Sequence, residues 1–372
     1  MYLNYDCKRD IKDIYNESLQ IYKKNKTLFN ANDLNKNMLI QGDNFNILSM
    51  LLYAGFKEKI DLIYIDPPFN TNSIFQFEKG KIRTISNSNK APIAYNDKMN
   101  KDHFIEFLRE RIILMKNLLS EKGSIYVHID SKYGAYLKII MDEIFGEQNF
   151  LNEISRIKSN PKNFARKAYG NEKDIILFYA KHRNKNIFNN ITIPYTTEEI
   201  EQKFKKIDKN GKRYNTVPIH APGESNGITG NMWKGMQPPP GRHWRTSPAA
   251  LTELDNEGKI EWSKTGNPRI KKYANEHKGK KIQDVWLDYK DPSFPSYPTE
   301  KNHKMLQMII QQSSNPKSIV LDAFSGSGSI GKIAYDLGRQ FILIDNSKIA
   351  INLMLSKLKN LDNFEYKNFE YI

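Results

Sequence analysis

Short apolar runs alternate with helix-length stripes along most of this chain, break off in the middle, and resume before the end. Asn37-Met-Leu-Ile-Gln41 reads as a strand, with Gly42-Asp43-Asn44 turning into a helix over 45–53. Asp61-Leu-Ile-Tyr-Ile65 is a second strand and stops at Asp66-Pro67-Pro68-Phe69. Proline cannot donate to a ladder and restricts the residue before it. Phe104, Leu108, Ile112, Met115 and Leu119 form one helical stripe, with Asp102 as the expected cap and Gly123 as the stop. A strand over 124–129, a helix from Ser131 to about Phe145 and a strand over 175–179 follow. Near the end come a helix over 301–313 capped by Thr299, a strand over 318–324 and a helix over 329–337. A strand over 340–345 and a last helix from Ser347 complete the series. Strands alternating with helices in this way predict the α/β class, with a doubly wound, mostly parallel sheet.

Three stretches break the pattern. Residues 8–30 read as one or two polar helices, an arm for packing or dimerisation. Asn70–Asn100 is long, polar and without periodicity, as expected of a functional lid or a disordered loop. From Lys181 to Asp291 prolines and glycines cluster, as in Gln237-Pro-Pro-Pro-Gly-Arg242-His243-Trp244-Arg245. Trp233, Trp244, Trp262 and Trp286 all fall there and are expected to form a small core. The expected organisation is a helical arm (1–36), half of an α/β domain (37–180), a smaller inserted domain (181–295) and the other half (296–372).

Composition adds a partner class. The 372 residues carry 57 Lys and Arg against 42 Asp and Glu, a formal charge of +15. Such an excess favours polyanions, with phosphate neutralisation and counterion release as its usual use. Cys7 is the single cysteine, so no disulfide within the chain and no cysteine zinc site is expected. The seven histidines show no pair at metal-ligand spacing, so no metal is expected either. The N-terminus is polar, and no apolar run approaches the ~18–20 residues of a membrane span. A cytoplasmic protein without a membrane partner is the expectation.

Gly326-x-Gly328-x-x-Gly331 follows a strand and opens a helix, and Asp345 ends the next strand. That is the pattern of a nucleotide site, with glycines for close backbone approach and an acid for ribose hydroxyls. Too few residues follow Gly331 to complete a dinucleotide sheet, so the N-terminal half must supply the rest. A nicotinamide enzyme predicts neither this permuted order nor Asp-Pro-Pro-Phe.

In these features the chain resembles the β-class DNA amino-methyltransferases of restriction–modification systems, including the modification subunits of type III systems. The likeness is carried by Leu39-Ile-Gln-Gly-Asp43-Asn44, Asp61-Leu-Ile-Tyr-Ile-Asp66-Pro-Pro-Phe-Asn-Thr71 and Gly123-Ser-Ile-Tyr-Val-His-Ile-Asp130. Gly241-Arg-His-Trp-Arg245, Tyr297-Pro-Thr-Glu-Lys301 and Leu321-Asp-Ala-Phe-Ser-Gly-Ser-Gly328 extend it over most of 37–180 and 241–358. In that class the catalytic half comes first, then a target-recognition domain, then the S-adenosylmethionine half.

The resemblance implies site-specific methyl transfer from S-adenosylmethionine to adenine N6 in double-stranded DNA. Asp66 and the Pro67 carbonyl would each accept an amino hydrogen, Pro68 would stiffen the turn, and Phe69 would stack on a flipped base. Asp rather than Ser before Pro-Pro favours adenine within the class. Cytosine N4, adenine in RNA, and a non-catalytic DNA-binding specificity partner are the alternatives. Asp322, Phe324, Gly326 and Gly328 would surround the methionine part of the cofactor, and Asp345 its ribose. Thr299 and Lys301 match a helix start that holds its carboxylate. Asp43 would lie at the cofactor's adenine end or near the target, and the likeness leaves both open. Asn302-His303 depart from the usual proline and carboxylate. Arg242, Arg245, Arg269, Lys271 and Lys272 are the candidate DNA contacts. A homodimer and a cognate restriction endonuclease are the further partners implied, and the length favours a stand-alone or type II methylase.

Overall fold

The computed structural model describes residues 2–25, 28–68, 74–76, 93–96, 100–161, 167–293, 295 and 300–369. The strands are β1 (Asn37–Gln41), β2 (Ile60–Ile65), β3 (Leu119–Ile129), β4 (Phe150–Ile157), β5 (Lys173–Ala180), β6 (Val285–Trp286), β7 (Ile319–Asp322), β8 (Gln340–Asp345) and β9 (Phe364–Asn368), of which β1, β2, β5, β7 and β8 are mostly buried. They form one sheet in the order β6-β4-β5-β3-β2-β7-β8-β1-β9. Neighbours are parallel, except where β5 runs antiparallel to both β3 and β4. The doubly wound α/β expectation holds, and the sheet is wider than the sequence suggested. Strands β4 and β9 were hidden because their burial is partial, and β6 because it is two residues long.

The central pairing joins β2 of the N-terminal half to β7 of the C-terminal half, with Val320 opposite Leu62 and Leu321 opposite Ile63. Two halves far apart in sequence therefore complete one sheet. In open α/β sheets the carboxyl ends of strands at such a break in order are where ligands bind.

Helices α1 (Ile11–Lys24), α2 (Asn44–Leu51), α3 (Lys101–Leu118), α4 (Ser131–Phe145), α5 (His303–Ser313), α6 (Ser329–Asp336) and α7 (Lys348–Leu358) flank the sheet. Side chains of α1–α4 share one core with Ile63, Ile65, Ile125, Val127 and Leu321. Helix α5 packs on α6, and α6 on β7 and β8. The arm contributes one α-helix, α1, which lies against α2.

Three helix starts differ from expectation by one to three residues. Asn100, not Asp102, caps α3, its Oδ1 accepting Asp102 N–H at 3.2 Å. Asp130 caps α4, and Asn302 caps α5 by accepting Met305 N–H at 3.2 Å. Asn and Asp satisfy orphan helix donors as well as Ser and Thr, so several candidates in one stretch compete. The later start of α5 leaves Lys301 on the backbone ahead of the helix. Within 70–100, the short strands Ile74–Gln76 and Ile93–Asn96 pair antiparallel, and the rest of that expected lid up to 99 lies outside the described residues.

The chain divides into one unit of 1–191 with 283–372 and a second of 192–282, narrower than the expected 181–295. The second unit holds a four-stranded antiparallel sheet, with Pro268–Tyr273 and Arg213–Pro218 at its centre, and a helix over Pro248–Asn256. Trp233 and Trp244 sit in its core with Ile219, Leu251, Ile260 and Ile270. Trp262 stacks on Trp233 at 5.6 Å yet stays 41% exposed, and Trp286 belongs to β6 of the first unit. The core expectation thus holds for two of the four tryptophans. Among the described residues no helix is long and apolar enough to cross a membrane.

Candidate active site

Strands β1, β8, β7 and β2 are successive parallel neighbours, so their carboxyl ends face one edge. At or just past those ends stand Asp43, Asp345, Asp322 and Asp66. Four acids distant in sequence become one row.

Asp66 follows β2 directly and is followed by the buried Pro67 and half-buried Pro68, so the strand cannot continue. Its carboxylate is held at one oxygen: Lys301 Nζ lies 2.6 Å from Oδ2, both side chains being largely buried. The other oxygen, Oδ1, is buried, has no hydrogen-bond partner among the described residues and lies 3.8 Å from His128 Nδ1. His128 is fully buried between the Tyr64 hydroxyl, 2.9 Å from Nδ1, and Asp174 Oδ2, 3.3 Å from Nε2. Asp66 and Lys301 line one cleft with Tyr64, Asp322, Phe324 and Gly326. The Asp-Pro-Pro turn and the glycine loop therefore meet.

The loop's conformation explains its glycines. Gly326 and Gly328 adopt φ of +47° and +69°, the left-handed region that side chains resist. A Cβ on Gly331 would come within 2.6 Å of Leu343 Cδ1, so this glycine lets α6 pack on β8. Asp322 Oδ1 accepts Phe324 N–H at 2.9 Å, and burial with Asp66 and Asp345 nearby pushes its pKa well up. Asp345 accepts Gly326 N–H at Oδ2 and Ser347 N–H at Oδ1, both at 2.8 Å, and burial raises it too. Carboxylates fixed by backbone donors, beside a glycine turn that opens a helix, fit a nucleoside with hydroxyls and a cationic amine. The residues present therefore fit the S-adenosylmethionine that the sequence implied. Glu300 is buried near this loop and contacts His303 Nε2 at 3.0 Å.

Asp43 caps α2 by accepting Asn46 N–H, and its Oδ2 lies 3.1 Å from Arg111 Nη2. Arg111 is buried, stacks on Phe107 at 3.6 Å and bonds Asn44, whose amide holds the Ala323 carbonyl. Asp43 thus stands just past β1, whose neighbour in the sheet is the strand that Asp345 ends. Phe69 and Thr299 lie outside the described residues.

Sequence reading passed over Tyr64, His128, Asp174, Glu300 and Arg111. A signal for the first two existed. Tyr64 pairs with Tyr126 across β2 and β3, so Tyr64, Asp66, Tyr126 and His128 share one sheet face by the two-residue period.

In the second unit the candidate DNA contacts separate. Arg245 and Lys272 line one cleft with Val217 and Leu254. Arg242 is exposed, with Nη1 3.2 Å from His220 Nδ1. Arg269 instead bonds the Thr216 hydroxyl and carbonyl, each at 2.9 Å, and Lys271 donates to the Gly258 carbonyl. By strand alternation Arg269 and Lys271 share one face and Lys272 the other.

A family model described as DNA methylase, of the N6/N4 group, matches residues 60–356, from β2 through the glycine loop to α7. The chain belongs to the N6/N4 DNA methylase family. M.EcaI of Enterobacter cloacae, a type II methyltransferase, is 39% identical over 368 residues, 95% of this chain and 77% of its own. The EcoP15I Mod subunit of Escherichia coli, from a type III restriction-modification enzyme, is 26% identical over 84% of this chain. The chain spans 58% of that relative's length. The solved structure of M1.HpyAVI aligns over 87% of the chain at 17% identity, with a TM-score of 0.46.

Proposed function

We propose that this DNA methylase transfers a methyl group from S-adenosylmethionine to N6 of adenine in double-stranded DNA. The observation that carries the reading is the shared cleft, where the Asp66 carboxylate faces the same space as Asp322, Phe324 and Gly326.

The amino group of a nucleobase is a poor nucleophile because its lone pair is delocalised into the ring. An acceptor fixed in advance can draw on an amino hydrogen and favour a more tetrahedral nitrogen, at no cost of reorganisation during reaction. Asp66 is such an acceptor: it follows β2 directly, Pro67 and Pro68 stiffen the next turn, and Lys301 holds one oxygen. The cofactor would supply the methyl group from its sulfonium and leave as the neutral thioether, and the methylated nitrogen would release one proton to the Asp66 carboxylate or to water. Asp322 and the 326–328 turn hold its amino-acid part, and Asp345 its ribose hydroxyls. The base must leave the duplex stack to reach a carboxylate at this depth. Asp in place of Ser before Pro-Pro supports adenine over cytosine. The 192–282 unit serves as the target-recognition part in this reading, through Arg242, Arg245 and Lys272.

Nucleoside mass spectrometry tests the proposal. The protein is incubated with S-adenosylmethionine and unmethylated genomic DNA, which is then digested. N6-methyladenine is the expected product. N4-methylcytosine would retain the chemistry and overturn the base, and methylation of unmodified RNA alone, in a parallel incubation, would overturn the substrate.

A further inference from the structure

A buried polar chain stands behind Asp66, and the methyl transfer described above makes no use of it. Tyr64, His128 and Asp174 are each at most 2% exposed. Asp174 is the end of the chain, 2.7 Å from Lys158 Nζ and 3.8 Å from Arg156 Nη1, and Arg156 pairs with Asp291.

The partners assign the imidazole's protons. A carboxylate only accepts, so His128 Nε2 carries a proton for Asp174. The Tyr64 hydroxyl then donates to the lone pair of Nδ1. A neutral ring in that form offers no proton to Asp66 Oδ1, which lies 3.8 Å from Nδ1, buried and without a hydrogen-bond partner among the described residues. A buried carboxylate oxygen left unpaired is costly and persists only where its surroundings enforce it.

We propose that Tyr64 and Asp174 are positioning residues that hold His128 as the neutral Nε2–H tautomer. No donor then reaches Asp66 Oδ1 from behind, and the carboxylate keeps its accepting power for the substrate amino group. This rests on the reading of Asp66 as that acceptor.

Among the described residues the groups facing His128 are Tyr64 of β2 and Asp66 just past it, Asp174 of β5, Arg156 of β4, and Lys301 ahead of α5. Burial, with Lys301 and Arg156, lowers the imidazole pKa against the opposing pull of Asp174 and Asp66. Removing the Tyr64 hydroxyl takes away the donor that favours neutral Nδ1. An imidazolium would then stand between two carboxylates, and its Nδ1–H would take Asp66 Oδ1.

The test is single-turnover methyl transfer from labelled S-adenosylmethionine to unmethylated genomic DNA across about pH 6 to 9. Tyr64→Phe is expected to lose roughly tenfold in rate at the acid end and recover at the alkaline end. The wild-type profile should show that limb only at lower pH, and adding His128→Asn should abolish it. A Tyr64→Phe profile superimposable on wild type, or a limb surviving in the double variant, overturns the proposal. Nitrogen-15 histidine spectra of the unaltered protein, with His128→Asn for assignment, read the tautomer directly whether or not Tyr64→Phe folds. A neutral Nε2–H ring at pH 7 supports the proposal, and an Nδ1–H ring or an imidazolium overturns it. Asp66→Ala, run in parallel, separates the two failures. Transfer surviving in Asp66→Ala sinks the reading of Asp66 itself. A dead Asp66→Ala beside an unmoved Tyr64→Phe profile sinks the positioning role alone.

Discussion

Lys301 Nζ and Asp66 Oδ2 meet at 2.6 Å, joining the residue ahead of α5 to the end of β2. The resemblance read from sequence had set this cation on the cofactor's carboxylate. The late start of α5 leaves Lys301 on the backbone ahead of the helix, and from there its ammonium reaches the carboxylate that follows β2. A compact ammonium at that distance fixes the orientation of the carboxylate.

Lys301→Met therefore separates two roles. If the ammonium serves Asp66, the single-turnover rate falls roughly a hundredfold while cofactor affinity by calorimetry changes less than about threefold. Stability also drops, because a carboxylate in a mostly buried site loses its partner. A large loss of cofactor affinity with the saturated rate intact would return Lys301 to the cofactor.

Much of this site was legible in the chain because its signals are local. Asp66-Pro67-Pro68 ends a strand by proline chemistry, and Gly326 and Gly328 mark left-handed backbone beside Asp345. The permuted order of halves was legible too, because the Asp66 strand precedes the glycine loop in the chain. Contacts between strands were not legible. His128 meets Asp66, Tyr64 and Asp174 only through the pairing of β3 with β2 and β5, which no local pattern states. The same limit hid the Arg111–Asp43 pair, made across α3 and the start of α2.

Asp322 carries an opposition between stability and binding. Burial, with Asp66 and Asp345 nearby, raises its pKa above the unfolded value. A carboxyl raised on folding adds stability below the unfolded pKa of about 4 and loses it as pH climbs. Asp322→Asn should thus raise the melting temperature by a few degrees at neutral pH, with the gain shrinking as pH is lowered. Cofactor affinity should fall in the same variant. Calorimetric melting at two pH values checks the sign, and an unchanged or lower midpoint at neutral pH would refute it.

Gly328→Ala is expected to destabilise through two separable terms. A Cβ there would lie 2.4 Å from Met354 Cγ, and φ of +69° costs an L-residue about 1–2 kcal/mol. Met354→Ala in the same chain removes the overlap and leaves the dihedral strain. Urea denaturation of Gly328→Ala, Met354→Ala and the pair should show positive coupling between the sites. Strict additivity would mean that Met354 moves aside without cost.

The basic residues of the second unit should divide by what they already hold. Arg269 is engaged by both the hydroxyl and the carbonyl of Thr216, so Arg269→Ala removes two bonds within the sheet. Loss of about 1–3 kcal/mol of stability is expected, with little change in DNA affinity once folding is restored by low temperature. Lys272 is exposed on the opposite face of the same strand, and Arg242 is exposed on the Arg242–Trp244 strand. If these two meet phosphates, Lys272→Ala and Arg242→Ala each lower the salt slope of DNA binding by about one and leave stability nearly unchanged. Fluorescence anisotropy at several salt concentrations reads that slope. An Arg242 contact to a base edge would instead lower affinity at the cognate site and leave binding to unrelated DNA intact, because base contacts specify where phosphate contacts only position.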